Sequence, residues 1–380
     1  MRPGMEKPGL ISRRIISMER TKRMVVPALL VAAAALAACG QGSTDTTQAT
    51  AATAAATESS TAAATEASTE ASTAASTEAA AEATGETTEE AAGTKEVTTP
   101  DGETLEVPES VDAIVSMAPS ATRVLIDLGL SDKIVACDTY SEQYYGDQLP
   151  ADIPTFDMMS PDNEQLIALD PDILFATGMS NAGGNDAYET ARENGVCIAQ
   201  MATPSSLQGI VDDVTFIGEA TGTDASSLVQ DLTDTESALQ TAAAGVTDKK
   251  SVLVIASTPT ADYPDIYAAG KDTYIDDILT LIGAENVAGD SSGWVSYSEE
   301  AAIALNPDVI ISSDTYNDAV EAFSSNDAWK DVSALQNDAV FTLTDANELN
   351  QPNNHTVSAM VEMAKDIYPD VFADVSDPYQ

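Results

Sequence analysis

Apolar and polar positions along this chain twice form the pattern of a short amphipathic helix followed by a buried strand. Residues 164–174 (Glu-Gln-Leu-Ile-Ala-Leu-Asp-Pro-Asp-Ile-Leu) align with residues 300–310 (Glu-Ala-Ala-Ile-Ala-Leu-Asn-Pro-Asp-Val-Ile). In each copy an Asp-Pro or Asn-Pro turn ends the helix, and the β-branched run after it predicts a parallel strand. A helix ended by Gly129 or Gly283, with a new strand behind it, precedes each copy. The repeat predicts an α/β fold with two similar lobes.

Two helices separate the two copies of the repeat. The first is predicted from Ser206 to Ala220, with a stop at Thr221-Gly222, and the second from an Asp224 cap to about Ala244, ended by Gly245. The second helix is roughly 30 Å long at the usual rise per residue. We therefore predict an N-terminal lobe over residues 106–222, a long rigid connecting helix over 223–246 and a C-terminal lobe over 247–380.

The first 38 residues have the pattern of a signal peptide. A basic stretch that includes Arg20 and Arg23 precedes an apolar run over 25–35, which is too short for a membrane span. The ending Leu-Ala-Ala-Cys resembles a bacterial lipobox, in which Cys39 is acylated and becomes the mature N-terminus. Plain signal cleavage beside an incidental cysteine is the alternative.

Residues 39–105 are predicted to be a solvated tether. Up to about Gly93 they are nearly all Ala, Thr, Ser and Glu, with no aromatic residue. Such a composition does not bury enough apolar surface to offset the entropy of the chain. A lipidated tether of this kind indicates an extracytoplasmic protein anchored to the cell membrane, and it suits a Gram-positive surface.

Charge and cysteine content narrow the functional classes. The formal net charge of −46 argues against nucleic acid as a partner. Besides Cys39 only Cys137 and Cys197 remain, both in or beside predicted strands. An exported protein permits a disulfide between them, but free buried thiols are the favoured state.

The folded part resembles the class III, long-helix substrate-binding proteins of ABC importers, which carry iron–siderophores, cobalamin or haem. The resemblance rests on these segments, in this order: residues 116–122 (Ser-Met-Ala-Pro-Ser-Ala-Thr), 164–172, 283–287 (Gly-Ala-Glu-Asn-Val), 298–308 and 350–354. It implies two Rossmann-like lobes bridged by one long helix, with the ligand in a shallow groove between them. It also implies a monomer, no resident cofactor, and an ABC permease and ATPase as partners.

The two glutamates of the repeat, Glu164 and Glu300, occupy the positions at which this family docks onto arginines of the permease. Two carboxylates on similar lobes would present a symmetric pair to a dimeric transporter. The alternative is that each glutamate simply begins a helix, where the helix dipole favours an acid.

The groove residues implied by the resemblance lie in loops after the strands, where open α/β sheets bind ligands. One group belongs to an aromatic-polar loop at 138–146, and others follow later strands. Trp294 lies six residues before Glu300, a spacing similar to that of a groove tryptophan in vitamin B12 carriers of this family. The candidates are Tyr140, Tyr144, Tyr145, Phe156, Met158, Met159, Met179, Trp294, Tyr297, Tyr316 and Gln351.

Two departures from the family pattern concern the charge of the ligand. Arg123 stands where many relatives carry Glu, and residues 351–353 read Gln-Pro-Asn where many siderophore carriers have Arg-Pro-Gly. Few cations remain to bind a strongly anionic catecholate complex. We therefore expect a small-molecule metal chelate of low negative charge: a ferric siderophore first, then cobalamin, then haem.

The single histidine, His355, gives the haem alternative its one candidate ligand, with Met158 or Met179 as partner. A lone histidine at a helix start is more often a polar surface or capping residue. Two other functions are disfavoured at this stage. An enzyme needs a nucleophile–base pair or a metal cluster, and one histidine, no Cys-x-x-Cys motif and no phosphate loop argue that this protein is not one. A zinc or manganese carrier needs clustered histidines, which the sequence does not have. A surface adhesin stays open, since it would fit the anchor and tether equally well.

Overall fold

The computed structural model describes residues 93–181, 184–260 and 263–380. The signal peptide, Cys39 and the first part of the tether lie outside the described residues. The last part of the predicted tether does not match the structure, because it forms an antiparallel hairpin of β1 (Thr94–Thr98) and β2 (Thr104–Pro108). The side chains of Val97 and Val107 enter the core, so the folded part begins about ten residues before the boundary predicted at 105.

Lobe 1 is a parallel sheet with helices in its connections. Its strands are β3 (Ile114–Met117), β4 (Ile134–Asp138), β5 (Thr155–Phe156), β6 (Ile173–Thr177) and β7 (Ile198–Met201). Its helices are α1 (Pro119–Asp127), α2 (Thr139–Tyr145), α3 (Asn163–Ala168) and α4 (Glu189–Glu193). The strand order β5-β4-β3-β6-β7 is the one found in Rossmann folds, with the first strand of the lobe in the middle.

Lobe 2 is a mixed sheet. Its strands are β8 (Ser251–Ser257), β9 (Ile266–Ala269), β10 (Glu285–Asn286), β11 (Trp294–Tyr297), β12 (Val309–Ser312) and β13 (Val340–Thr342). Its helices are α7 (Tyr274–Leu281), α8 (Glu299–Leu305), α9 (Ala319–Ser324), α10 (Ser333–Gln336), α11 (Asn347–Asn350) and α12 (Thr356–Ile367). It departs from the Rossmann pattern because β8 turns back into the antiparallel strand β9, whereas β3 of lobe 1 leads into a helix.

The predicted repeat is confirmed down to the backbone. Asp170 and Asn306, which precede the two prolines, have φ angles of 47° and 45° in the left-handed region. The aspartate that follows each proline, Asp172 or Asp308, binds the start of the central strand of its lobe. Asp172 Oδ2 accepts hydrogen bonds from the backbone N–H groups of residues 112 and 113 at 2.7 and 2.8 Å. Asp308 Oδ2 accepts from the N–H and hydroxyl of Ser251, both at 3.0 Å. Each acid thereby fixes the start of the central strand.

The connection between the lobes consists of two helices, α5 (Leu207–Thr221) and α6 (Ser226–Ala243). The predicted connecting helix corresponds to α6, at about 27 Å. Helix α5 also joins the two lobes, since it contacts α1 of lobe 1, β1 of the N-terminal hairpin and α7 of lobe 2. Gly222, in the left-handed conformation (φ 70°), closes α5, and a side chain at Gly218 would collide with Ala225 at the start of α6.

One hydrophobic core extends through both lobes. It includes Val124 and Phe175 of lobe 1, Phe216 of α5, and Val254 and Ile278 of lobe 2. Each sheet also has one smaller hydrophobic cluster on its outer face. Cys137 and Cys197 are free thiols, as the sequence favoured, and burial raises the pKa of both, to about 12 and about 11. The lobes are therefore packed on a common layer of helices and are not independent domains.

Candidate functional site

A buried aspartate at the end of β4 positions the first tyrosines of the site. Asp138 is fully buried and accepts hydrogen bonds from the N–H groups of Tyr140 and Ser141 at 2.9 and 3.0 Å and from the Ser141 hydroxyl. These bonds cap α2. The sequence analysis predicted a loop over these residues, and that prediction was wrong because the Asp138 cap begins a helix immediately after the strand. Tyr140, Tyr144 and Tyr145 therefore lie on one rigid element.

The same tripeptide, Asp-Thr-Tyr, recurs at the end of β12 in lobe 2. Asp314 is 5% exposed and accepts from the N–H groups of Tyr316 (2.8 Å) and Asn317 (3.1 Å). Its second oxygen accepts from the N–H of Thr258 at 2.8 Å and thereby holds the end of β8. Each lobe thus uses a buried carboxylate to hold a tyrosine at a strand end.

Tyr316 of lobe 2 lies near the tyrosines of α2. The ring centroids of Tyr140 and Tyr144 are 6.2 Å apart, and those of Tyr144 and Tyr145 are 6.1 Å apart. Burial raises the pKa of Tyr140, and it raises that of Tyr144 to about 12. In both cases the second largest cause of the raised pKa is the nearby phenol of Tyr316. We call Tyr140, Tyr144 and Tyr316 the tyrosine cluster.

The charges that act on the tyrosine cluster are negative. Asp138 contributes to the raised pKa of both Tyr140 and Tyr144, Asp157 to that of Tyr140, and Asp345 to that of Tyr144. Tyr316 itself is 79% exposed. The tyrosine cluster therefore offers phenol donors and aromatic faces in an acidic environment, which suits a neutral or cationic partner.

A second aromatic pair lies on the edge strand β11 of lobe 2 and on its neighbour β9. Trp294 of β11 and Tyr267 of β9 are stacked, with centroids 5.3 Å apart and an interplanar angle of 12°. Tyr297 packs against a different hydrophobic cluster from Trp294, since residues three apart in a strand point to opposite faces. The two predicted groove residues therefore do not share a surface. Tyr267 is an aromatic residue that the sequence analysis did not select.

Of the remaining predicted groove residues, two are exposed and two are buried in the core. Met159 and Met179 are 47% and 58% exposed, in loops after β5 and β6. Phe156 and Met158 are buried in the cluster on the outer face of the lobe 1 sheet, so the structure places them in the core instead of the groove. Periodicity could not separate these two groups, because a strand of two residues has no period.

The turn before α12 has a structural task. Gln351 is half-buried, and its carbonyl accepts a hydrogen bond from Asn353 Nδ2. Asn353 and Asn354 are buried, and Asn354 Nδ2 donates to Asp127 of lobe 1 at 2.7 Å. The turn therefore connects lobe 2 to lobe 1, a contact between residues 227 positions apart.

The side chain of His355 contacts other side chains of the protein. Its Nε2 lies 3.0 Å from Asp127 Oδ2, and its ring stacks on Tyr379 at 3.9 Å. The structure therefore contradicts its assignment as an axial haem ligand, because that nitrogen already has a carboxylate partner. Arg123, the departure noted in the sequence, also binds Asp127, and its guanidinium lies 5.4 Å from the centre of the Tyr145 ring. Arg123 is thus neutralised by a protein acid.

Both repeat glutamates are exposed on the first turn of their helices. Glu164 begins α3 behind the cap Asp162, and Glu300 begins α8 behind the cap Ser298. The neighbouring Glu299 instead turns inward and accepts a hydrogen bond from Trp329 Nε1 at 3.0 Å. The structure leaves the side chains of Glu164 and Glu300 without a hydrogen bond or ion pair to any described residue.

A family assignment follows from comparison with known proteins. Residues 114–346 match the sequence profile of a family described as periplasmic binding proteins. This chain belongs to that family. Its relatives are ABC transporter substrate-binding proteins, and its solved neighbours have the class III fold, as the sequence pattern predicted.

Three relatives show how far the similarity extends. The uncharacterised ABC transporter substrate-binding lipoprotein YvrC of Bacillus subtilis is 30% identical over 268 residues, 68% of this chain and 81% of YvrC. A cobalamin-binding protein of Halobacterium salinarum is 26% identical over 70% of this chain and 73% of its own. A crystal structure of a possible iron-binding solute-binding protein from Staphylococcus epidermidis superposes with a TM-score of 0.59 at 26% identity, covering 68% of this chain and all of that one.

Two further observations concern the described part of the chain. Its helices include none that combines the length and the apolar character required to cross a membrane. In residues 93–181, 184–260 and 263–380, no three side chains of His, Cys, Asp or Glu are grouped as ligands for a metal ion.

Proposed function

We propose that this periplasmic binding protein delivers a metal chelate of low negative charge to an ABC importer, with a corrinoid of the cobalamin type as the first candidate. The observation that supports this most is the tyrosine cluster, in which Tyr316 of lobe 2 lies near two tyrosines of α2. Phenols donate hydrogen bonds at the edge of a ligand, and their rings cover an apolar face.

The charge around the tyrosine cluster argues for the class of ligand. Asp138, Asp157 and Asp345 act on its phenols, and Arg123 is paired with Asp127. A ferric catecholate, which carries several negative charges, would be repelled in this environment. A corrinoid offers an apolar macrocycle with amides at its rim, which matches rings and hydroxyls better than it matches ion pairs.

Two candidates remain within this class. Corrinoids are supported by relatives named as cobalamin-binding in Halobacterium salinarum and vitamin B12-binding in Vibrio parahaemolyticus. A ferric siderophore of low charge, which the sequence analysis placed first, is supported by the solved relative described as possibly iron-binding. We place the corrinoid first because those curated relatives and the half-buried Trp294 both favour it.

Calorimetric titration distinguishes these ligands. We expect cyanocobalamin or a neutral ferric hydroxamate to bind, and a ferric catecholate to bind at least tenfold more weakly than the better of the two. Tyr316→Ala should weaken binding about tenfold, the effect of losing a central aromatic contact. Tyr263→Ala is the matched control, since Tyr263 is 77% exposed on the same lobe and is not among the groups that act on the cluster phenols. Tightest binding of the catecholate would contradict the proposal.

The permease contact is proposed to be made by Glu164 and Glu300. Both are exposed, both follow the cap of a repeat helix, and neither is held by a described residue. Two such carboxylates on similar lobes match a pair of arginines on a dimeric permease. Cys39, as the lipidated N-terminus, would hold the protein at the outer face of the membrane, most suitably on a Gram-positive surface, as a monomer.

A paired substitution tests the docking glutamates. Glu164→Ala with Glu300→Ala should leave the dissociation constant of the ligand unchanged and abolish its uptake by cells that contain the importer. Glu193→Ala with Glu321→Ala is the control, because these glutamates are also exposed, one on each lobe. Normal uptake in the first double variant would refute the docking role without affecting the assignment of the ligand.

A further inference from the structure

Asp127, at the end of α1 in lobe 1, is the centre of a network that joins the two lobes. Arg123 Nε donates to Asp127 Oδ2 at 3.1 Å, and Arg123 Nη2 pairs with Oδ1. From the turn before α12, Asn354 Nδ2 and His355 Nε2 reach the same Oδ2 at 2.7 and 3.0 Å. One partly buried carboxylate thus holds a cation of its own helix and the N-terminal end of α12.

Groups from three elements act on His355. From α1 these are Arg123 and Asp127, and from α11 it is Glu348, whose Oε1 lies 3.8 Å from Nδ1. The C-terminal segment contributes Tyr379, which stacks on the ring and whose hydroxyl accepts from Asn354 at 2.9 Å. A carboxylate therefore faces each ring nitrogen, an arrangement that favours the doubly protonated ring.

Helix α12 spans from this network to the far side of lobe 2. At its other end, Tyr368 donates a hydrogen bond to the carbonyl of Gly283 at 3.2 Å and accepts one from the N–H of Lys250 at 2.8 Å. Between these ends the helix is buried in the common core. Its first turn is therefore the point at which lobe 2 is fastened to α1.

We propose that Asp127 and His355 form a pH-sensitive clamp between lobe 1 and helix α12. With the imidazolium present, an ion pair fastens the lobes, and when the ring loses its proton the same contact is reduced to a neutral hydrogen bond. Arg123 links the clamp to the groove, because its guanidinium lies over Tyr145, whose ring adjoins that of Tyr144. The clamp does not depend on which ligand the groove binds.

The sign of the effect follows from the two partners. Burial lowers the pKa of His355 and the charge of Arg123 lowers it further. The hydrogen bond to Asp127 and the Glu348 carboxylate, 3.8 Å from Nδ1, outweigh both and raise the pKa above its ordinary value. Burial raises the pKa of Asp127, and its bonds to His355, Arg123 and Asn354 outweigh it and lower the pKa. The stabilisation by His355 is complete below the pKa of the unfolded chain and is lost as the pH rises through the folded pKa. The stabilisation by Asp127 is lost only on acidification.

The single histidine makes the proposal directly measurable. A proton–carbon NMR titration of the full-length chain has one imidazole to follow. We expect its pKa to lie above 6.5 in the parent protein and to fall by about one unit or more in Asp127→Asn, a tenfold change in proton affinity. Asp112→Asn, which removes the exposed ion pair with Lys133 on the same lobe, is the control and should not move it. An unchanged His355 pKa in Asp127→Asn would overturn the clamp.

A pH profile separates the clamp from a merely structural contact. The thermal midpoint of the parent protein should fall as the pH rises through the His355 pKa, and His355→Gln should lose the part of that fall that His355 causes. Asp213 and Asp366, whose pKa values burial raises to about 7 and about 6, titrate in both proteins and cancel in the comparison. The Gln variant keeps a donor for Asp127 but does not titrate, and its stability relative to the parent should improve with rising pH. If the parent and His355→Gln have parallel profiles, the ring's charge does not fasten the lobes and the proposal fails.

Discussion

At the scale of single residues, buried carboxylates determine where the aromatic side chains of the groove point. Asp138 and Asp314 each accept hydrogen bonds through both carboxylate oxygens at the end of a strand. Asp138 accepts from a backbone N–H and from the Ser141 hydroxyl, and Asp314 accepts from a backbone N–H and from the Asn317 side-chain amide. Burial raises the pKa of Asp138, since it outweighs the bonds from Ser141 and Tyr140. Both acids bind the backbone N–H of a tyrosine and that of the next residue, so they position the aromatic side chain without being part of the aromatic surface.

A cap substitution tests this positioning role. Asp138→Ala should reduce the free energy of unfolding by about 1–2 kcal/mol, because two N–H groups of α2 lose their acceptor. It should also weaken ligand binding, since Tyr140 and Tyr144 lie on that helix. Asp162→Ala removes the equivalent cap of α3 and should reduce stability without changing the dissociation constant. Equal effects of both variants on binding would show that α2 has no special role.

At the scale of elements, the repeat is conserved in backbone conformation but differs in its side-chain contacts. Asp170 and Asn306 occupy the same left-handed position between helix and strand. Asn306 Nδ2 donates to Ser333 Oγ at 3.0 Å, and its Oδ1 accepts from the N–H of Ser333 at 2.9 Å. Asp170 has no such partner among the described residues. The turn of lobe 2 is therefore fixed by α10, while the turn of lobe 1 depends on local conformation alone.

Glycine substitutions should distinguish the two turns. Asp170→Gly should change the free energy of unfolding by less than about 0.5 kcal/mol, because glycine adopts a positive φ without strain. Asn306→Gly should cost about 1–2 kcal/mol, because the N–H of Ser333 loses its acceptor. Chemical denaturation of the two variants measures both values, with Asp170→Ala, expected to cost about 1 kcal/mol, as the check that the backbone is strained for other residues. Equal costs for the two glycine variants would contradict this account.

At the scale of the whole molecule, the common core makes the two lobes one cooperative unit. Helices α5, α6 and α12 bury side chains in a cluster that contains residues of both sheets. Separating the lobes would expose this layer to water, at a cost proportional to its apolar area. The relative position of the two lobes is thus set by the packing of this layer.

Cooperative unfolding is the corresponding prediction. Trp294 and Trp329, the two tryptophans of the chain, both belong to lobe 2. Their fluorescence and the far-ultraviolet circular dichroism of the whole protein should give the same midpoint in urea, since neither lobe keeps a complete core without the other. Two separated midpoints would show that the lobes unfold independently.

The sequence predicted those features of this protein that depend on residues close together in the chain. The helix–Pro–strand repeat predicted two lobes, because hydrophobic periodicity and proline act over a few residues. The ends of α5 and α6 followed from capping residues and Gly222 for the same reason. Local patterns also selected Tyr140 and Tyr316, two of the exposed tyrosines that follow strands, but missed Tyr267. They did not separate Phe156 and Met158, which are core residues, from Met159 and Met179, which are exposed.

Tertiary structure alone decided the contacts between distant residues. The partner of His355 lies 228 positions away, and that of Asn354 lies 227 positions away. No local periodicity encodes such a pair, so the sequence left His355 as a candidate ligand and Arg123 as an unexplained cation. Whether the tyrosines of α2 face Tyr316 likewise depends on how two sheets pack on shared helices. Local sequence determined which elements exist, and the burial of apolar surface between those elements decided which polar groups meet.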